Sequence, residues 1–142
     1  MKKVSIVVPV FNEEDNLREF HKRITAVMSK EPYEYSIVFI NDGSSDNSAV
    51  ILSELAKEDE HVEAYLLSRN YGHQMALTCG LDNAEGDVVI TMDGDMQHPP
   101  EIVPQLLRLW EEGNEIVITK RLATEDAGFF KNFTSAAYYK LI

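Results

Sequence analysis

The chain of 142 residues is long enough to bury a hydrophobic core in one domain, and its 44% hydrophobic and 26% charged residues are ordinary for a soluble globular fold. A net charge of −11 argues against nucleic acid as a partner, because phosphate backbones are held by clustered Lys and Arg. The single cysteine, Cys79, cannot close an internal disulfide, no apolar run is long enough to span a bilayer, and no signal peptide precedes the first apolar stretch, so a reducing, cytoplasmic setting is expected.

Residues 4–10 (VSIVVPV) are nearly all apolar, the pattern of a strand buried on both faces. Asn12 is placed to cap the following helix, in which Leu17, Phe20, Ile24, Val27 and Met28 recur at helical spacing; Pro32 closes that unit. Residues 35–40 read as a second strand that runs into Asn41-Asp42-Gly43-Ser44-Ser45-Asp46, then a helix with Ala49, Leu52, Leu55 and Ala56 inward. Residues 62–67 read as a third strand, ending at Ser68-Arg69-Asn70-Tyr71-Gly72. The next helix carries Ala76, Gly80 and Ala84 on one side, small residues that permit close packing, and Gly86 ends it. Asp87 opens a fourth strand, with residues 88–92 as its apolar part. Pro100 suits the first turn of a helix that turns Val103, Leu106, Leu107 and Trp110 inward and stops at Gly113. Residues 115–119 (EIVIT) read as a fifth strand and residues 123–128 as a loop. Residues 129–142 read as an aromatic-rich helix that stops in mid-pattern, and the expectation is that the sequence is a fragment.

Strands alternating with helices through short connections predict an α/β fold: a parallel, Rossmann-like sheet with helices on both faces, which binds ligands beyond the carboxyl ends of its strands. Polar residues gather at those ends: Asn12 and Glu13; Asp42 and Asp46; Arg69 and Asn70; Asp93, Asp95 and Gln97; Lys120 and Arg121. Asp93-Gly94-Asp95 carries the sharpest chemistry. Two carboxylates one residue apart repel each other, and a divalent cation such as Mg²⁺ or Mn²⁺ removes that cost through oxygen ligands; the competing reading is a turn that leads into a helix. Gln97 is either a further oxygen donor or a helix-entry hydrogen-bonding group. Asp42 is either an acceptor for a base N–H or the opening residue of a tight turn. Glu13 is either a ribose or metal-shell ligand or a favourable charge in the first turn of a helix. Arg69 and Arg121 are candidate phosphate clamps or surface ion-pair residues, and His73 and His98 lie near the same rim. The sequence has no Walker A or GxGxxG motif and no evident nucleophile triad.

Four segments, IVVPVFNEEDNL at 6–17, INDGSSDNS at 40–48, SRNYGHQMALTCGLDNAEGD at 68–87 and TMDGDMQHPPE at 91–101, together resemble family 2 glycosyltransferases, in particular the branch of dolichol-phosphate mannose synthases and bactoprenol glucosyltransferases. The resemblance runs in order and spacing from residue 4 to about 121. It implies a GT-A fold whose nucleotide-sugar-binding core spans residues 1–121, with residues 122–142 beginning an acceptor-side segment. It implies a UDP or GDP sugar as donor, a polyprenyl phosphate as acceptor, and Mg²⁺ or Mn²⁺ as cofactor. Pro9, Phe11 and Glu13 are carried over to the nucleotide, with Phe11 in place of the usual tyrosine, and Asp42 to the base. Asp93, Gly94 and Asp95 are carried over as the DxD motif, Asp93, Asp95 and Gln97 as metal ligands, and Arg121 as a cation near the acceptor phosphate; Asp93, Asp95 and Arg121 thus form the expected catalytic set. In the full-length protein the resemblance implies work at the cytoplasmic face of a membrane. The aromatic residues Phe129, Phe133, Tyr138 and Tyr139 add an expectation of self-association. Two other classes compete. One is a nucleotide-sugar-binding module without turnover. The other is a DxD phosphohydrolase, which would place its motif after the first strand instead of the fourth.

Overall fold

The structure, a computed structural model, describes residues 1–114 and the backbone of two short strands, residues 118–120 and 132–134. The chain divides into two compact units, Met1–Pro100 and Glu101–Ile142.

The first unit is a four-stranded parallel sheet in the order β3-β2-β1-β4, built from β1 (Lys3–Val10), β2 (Glu34–Asn41), β3 (Val62–Leu66) and β4 (Val88–Thr91). The central strand β1 pairs with β2 over its whole length, Lys3 with Glu34 through Val10 with Asn41, and with β4 from Val4 with Val88 to Val7 with Thr91. The apolar runs have a plain cause here: β1 from Val4 and β2 from Ser36 onward are buried on both faces, so neither face can be polar.

Three helices connect these strands: α1 (Leu17–Met28), α2 (Ser48–Glu58) and α3 (His73–Asn83). The apolar stripe of α1 is Leu17, Phe20, Ile24 and Met28, and Phe20 meets Phe39 of β2 edge-to-face at 6.1 Å. On the opposite face Ala76 of α3 joins Val7, Val38 and Ile40 in one buried cluster. Gly80 permits that approach: a Cβ there would lie 2.3 Å from Val7 Cγ1. Helices therefore cover both faces, as the alternation predicts.

In the second unit Val103 and Leu107, one helical turn apart, are the buried residues of α4 (Val103–Glu111), which follows a 3-10 turn at Pro100–Ile102. β5 (Ile118–Lys120) pairs antiparallel with β6 (Asn132–Thr134) in a sheet of two strands. Two expectations are corrected by that pairing. Among the described residues the expected fifth strand pairs with β6 in a two-stranded sheet and not with a strand of the parallel sheet, its antiparallel partner following close downstream in the chain. Residues 132–134 are strand and not helix, in keeping with the preference of Phe133 and Thr134 for a pleated backbone. The rest of the expected loop at 123–128 and helix at 129–142, the self-association surface drawn from Phe129, Tyr138 and Tyr139, and the core boundary at 121 lie outside the described residues. Among the described residues no helix is long and apolar enough to cross a membrane.

Candidate functional site

From β1 the chain steps outward to β2 and β3, then returns across the sheet to β4. The loops that follow β1 and β4 therefore diverge, and open α/β sheets bind ligands in the crevice formed at such a reversal. A cavity of about 400 Å³ lies there, within the size range of small-molecule sites. Pro9, Phe11 and Glu13 line it from the first connection, Asp42 from the second, Asn70, Gly72 and His73 from the third, and Asp93, Gly94, Asp95 and Gln97 from the fourth. The structure thus brings together every expected nucleotide and metal residue. Arg121 lies outside the described residues.

The loop after β1 is built by reaching across to the loop after β2. Asn12 does not cap α1, which starts at Leu17 behind Asn16. Asn12 instead sits at φ 53°, a left-handed conformation that asparagine tolerates, and its Oδ1 accepts the N–H groups of Ser45 at 2.8 Å and Asp46 at 3.3 Å. The Asn12 N–H donates to Ser44 Oγ at 2.9 Å, the Glu13 N–H to Ser48 Oγ at 3.0 Å, and the Glu14 N–H to Asp46 Oδ2 at 3.2 Å. Burial pushes the Asp46 carboxyl up, but donation from Ser48 and the Glu14 N–H outweighs it and holds the group below its ordinary value. Glu13 takes the Nδ2–H of Asn16 on Oε1 at 2.9 Å, which fixes its side chain at the cavity wall.

Asp42 is 3% exposed, and its carboxylate is occupied by the loop after β3. Oδ1 accepts the Tyr71 N–H at 2.7 Å; Oδ2 accepts the Gly72 N–H at 3.0 Å and Asn70 Nδ2 at 3.3 Å. The next residue explains the fit. Gly43 has φ +66°, and a Cβ on it would fall 2.3 Å from the carbonyl carbon of Arg69. Arg69 does not line the cavity; its guanidinium lies 4.5 Å over the Tyr71 ring. Hydrogen bonds with Ser68 and then Arg69 hold the Tyr71 phenol below its ordinary value.

The loop after β4 is tightly wound. The Gln97 N–H donates to Asp95 Oδ1 at 3.0 Å, and the Asp93 N–H to Nδ1 of His98 at 3.3 Å, so the His98 ring accepts at Nδ1. Met96 between them has φ 68°, a strained value for a residue without a short polar side chain, and Arg23 reaches its sulfur at 3.5 Å. A Cβ on Gly94 would make only ordinary contacts, 3.5 Å to Val8 Cγ1 and 4.0 Å to Glu13 Cγ, so nothing in the protein itself demands glycine there.

Four carboxylates and no Lys or Arg are among the described residues lining the cavity, so a cation bound there would offset the repulsion that a phosphate meets. Asp93, Asp95 and Gln97 offer oxygen donors alone, which suits Mg²⁺ or Mn²⁺. Among the described residues no three His, Cys, Asp or Glu side chains converge as a metal cage. That also fits, since Mg²⁺ is commonly held by one or two carboxylates together with substrate phosphates and water. Reading the sequence alone missed the roles of Asn70 and Gly72 as partners of Asp42. The only signal was their place at the end of an expected strand.

Comparison with known proteins gives the family and the fold. The model of the family described as Glycosyl transferase family 2 matches residues 5–141. An undecaprenyl-phosphate 4-deoxy-4-formamido-L-arabinose transferase from Proteus mirabilis is 45% identical over 92% of this chain and 40% of its own. A bactoprenol glucosyl transferase of Shigella phage SfV is 43% identical over 98% of this chain and 45% of its own. The chain thus spans less than half the length of these curated relatives. Among solved structures, a mannosyltransferase from Pyrobaculum calidifontis in complex with GDP-Man and Mn²⁺ superposes with a TM-score of 0.68 at 16% identity, over 85% of this chain and 35% of that one.

Proposed function

The chain belongs to glycosyltransferase family 2, and on that premise we propose that its cavity binds a nucleotide diphosphate sugar for transfer of the hexose to a polyprenyl phosphate. The observation that carries the proposal is the convergence of Glu13, Asp42, Asp93 and Asp95 with Phe11 on one crevice at the reversal of strand order. Phe11 is 48% exposed at the cavity wall, where its ring offers a stacking surface for a base. In this reading Pro9 and Glu13 border the nucleoside, Asp42 takes a base N–H, and Asp93, Asp95 and Gln97 would hold Mg²⁺ or Mn²⁺. When bound, the metal supplies charge neutralisation for a leaving diphosphate. The chain's own residues do the rest. Gly94 leaves space beside the motif, and the hydrogen bond from Gln97 N–H fixes the orientation of the Asp95 carboxylate. An acceptor phosphate is already anionic near neutral pH, so no general base is assigned.

The acceptor is proposed from the relatives named for undecaprenyl-phosphate and bactoprenol, and it places the full-length protein's work at a membrane surface. The present residues correspond to 40–45% of those relatives, so the part of the activity assigned to them is donor binding, with slow turnover or none. The test incubates the protein with UDP- and GDP-sugars, Mn²⁺ and a short polyprenyl phosphate, and measures both nucleotide binding and glycolipid product. Metal-dependent binding is expected. Absence of binding to any nucleotide sugar would overturn the proposal, and product formed at about 1 s⁻¹ or faster, within the usual range for enzymes, would overturn its restriction to donor binding.

A further inference from the structure

We infer that β3 is a docking edge for a second copy of this chain, the two β3 strands pairing antiparallel about a two-fold axis at Ala64 to join both sheets into one. The strand ends the sheet order, and among the described residues no strand lies on its outer side. Its ladder with β2 decides which backbone groups are spare. The Ile37 N–H donates to the His61 carbonyl at 2.8 Å and the Leu67 N–H to the Asn41 carbonyl at 2.9 Å, so residues 61, 63, 65 and 67 turn their groups toward β2. Alternation along a strand turns those of Val62, Ala64 and Leu66 outward. The Val62 N–H is already given to the Asp59 carbonyl at 3.0 Å. The N–H groups of Ala64 and Leu66 and the carbonyls of Val62, Ala64 and Leu66 remain for a partner strand. Natural edges are commonly blunted by Lys or Pro, and this one, VEAYL, carries neither.

The strand complements itself. With Ala64 opposite its own copy, each Ala64 N–H meets the other Ala64 carbonyl, and each Leu66 N–H meets the Val62 carbonyl across the axis. Every spare donor of the edge then has an acceptor. Glu63, the one charged residue of the strand, comes to face Tyr65 of the other copy in the closer, non-hydrogen-bonded kind of pair, where the phenol can donate to it. Registers centred on Glu63 or Tyr65 would instead set Glu63 against a second Glu63 or against Leu67. Apolar surface flanks the edge on both sides. Leu66, 68% exposed, borders a groove of about 380 Å³ with Ala56 and Ala64 on the α2 side, and one of about 480 Å³ with Tyr71 and Met75 on the α3 side. An added strand covers part of both. A two-fold contact of this kind closes on itself, so it gives a dimer and not a fibre. Two strands of five residues make a small interface, below about 1,200 Å², which belongs to a weak, concentration-dependent dimer.

Sedimentation equilibrium on the whole chain, up to about 1 mM and in about 0.15 M salt to screen its net charge of −11, is expected to show a monomer–dimer equilibrium. Leu66→Lys and Ala64→Pro should each weaken it at least tenfold. Proline at 64 removes an N–H that β2 does not use, so the sheet is kept, which far-ultraviolet circular dichroism checks. Amide exchange on the unaltered protein gives a reading that needs no variant: the Ala64 and Leu66 amides should exchange fast when dilute and slow as concentration rises, while that of Tyr65 stays protected throughout. A chain that remains monomeric would overturn the inference. So would a dimer that both folded variants leave unchanged, which would put the contact elsewhere, as in the aromatic residues 129–139. Protection of Ala64 and Leu66 at every concentration would overturn it too, since another segment of the same chain would then cover the edge.

Discussion

Replacing Asp42 and Asp95 by asparagine should have very unequal consequences for the fold, although both side chains line one cavity. Asparagine at 42 keeps one acceptor oxygen and turns an NH₂ group toward donors. If its oxygen stays on the Tyr71 N–H, the amide meets the Gly72 N–H and Asn70 Nδ2, and two bonds to a charged group are lost. Such bonds contribute about 1.5–3 kcal/mol each, and water reaching the partly exposed loop restores a fraction, so a loss of about 2–4 kcal/mol is expected. Against a typical total of about 5–15 kcal/mol that is severe. At Asp95 the Gln97 N–H donates to Oδ1, an atom asparagine retains, so a cost below about 0.5 kcal/mol is expected. Urea denaturation followed by far-ultraviolet circular dichroism measures both. An Asp42→Asn protein within 0.5 kcal/mol of the parent, on the same approximate scale, would refute the account of Asp42 as the clamp of the third loop. Metal-dependent nucleotide binding should be lost in Asp95→Asn while its fold stays intact, whereas Asp42→Asn should weaken binding with or without metal.

Gly80→Ala sets a helix-propensity gain of about 1 kcal/mol against overpacking of about 1–3 kcal/mol, and contact at 2.3 Å with the buried Val7 decides for the second. A lowered melting temperature is expected, and an unchanged or raised one would show that α3 can shift freely. Gly94→Ala should melt like the parent, because its Cβ meets only ordinary contacts, yet bind nucleotide about tenfold more weakly, or about 1.4 kcal/mol; calorimetry showing parental affinity would mean that no ligand approaches residue 94. Burial pushes the Asp59 carboxyl up, but hydrogen bonds from His61 N–H and the rings of His21 and His61 outweigh it, leaving the group below its ordinary value. A lowered carboxyl adds stability above its unfolded value near pH 4 and loses it as pH falls through the folded value. Asp59→Asn should therefore flatten the decline in stability below about pH 4, and an acid limb of unchanged steepness in denaturation series would count against this assignment.

The sheet was legible because burial on both faces leaves no alternative to apolar runs such as residues 4–10 and 35–40. The stripe of α1 was legible because Leu17, Phe20, Ile24 and Met28 repeat within one element. What escaped depends on partners distant in sequence. Asn12 resembles a helix cap until Ser45 and Asp46, more than thirty residues away, take its oxygen. Asp42 resembles a turn residue until Tyr71 and Gly72 arrive. The antiparallel pairing of Ile118–Lys120 with Asn132–Thr134 leaves no trace in local periodicity, since Phe133 and Thr134 sit in an aromatic run that scans as helix. Composition could place the carboxylates on one rim. It could not say that one of them was already engaged.

The position of β4 also orders the events of folding. β1 can pair with β2 and β2 with β3 once the first 66 residues exist, but β1 keeps one open edge until residues 88–91 are made. That closing contact spans a long loop, with Lys3 N–H donating to Asp87 Oδ2 across 84 positions and Asp87 N–H returning to the Lys3 carbonyl. Non-local pairings of this kind form late, because loop closure is paid before the contact rewards it. Until then β1 presents an unpaired apolar edge, the form of chain most prone to joining another copy. The crevice between β1 and β4 comes into being with the same event. The nucleotide binding proposed above would thus report, in a freshly synthesised chain, the long-range pairing of β1 with β4, and a ligand captured there would hold those two strands together.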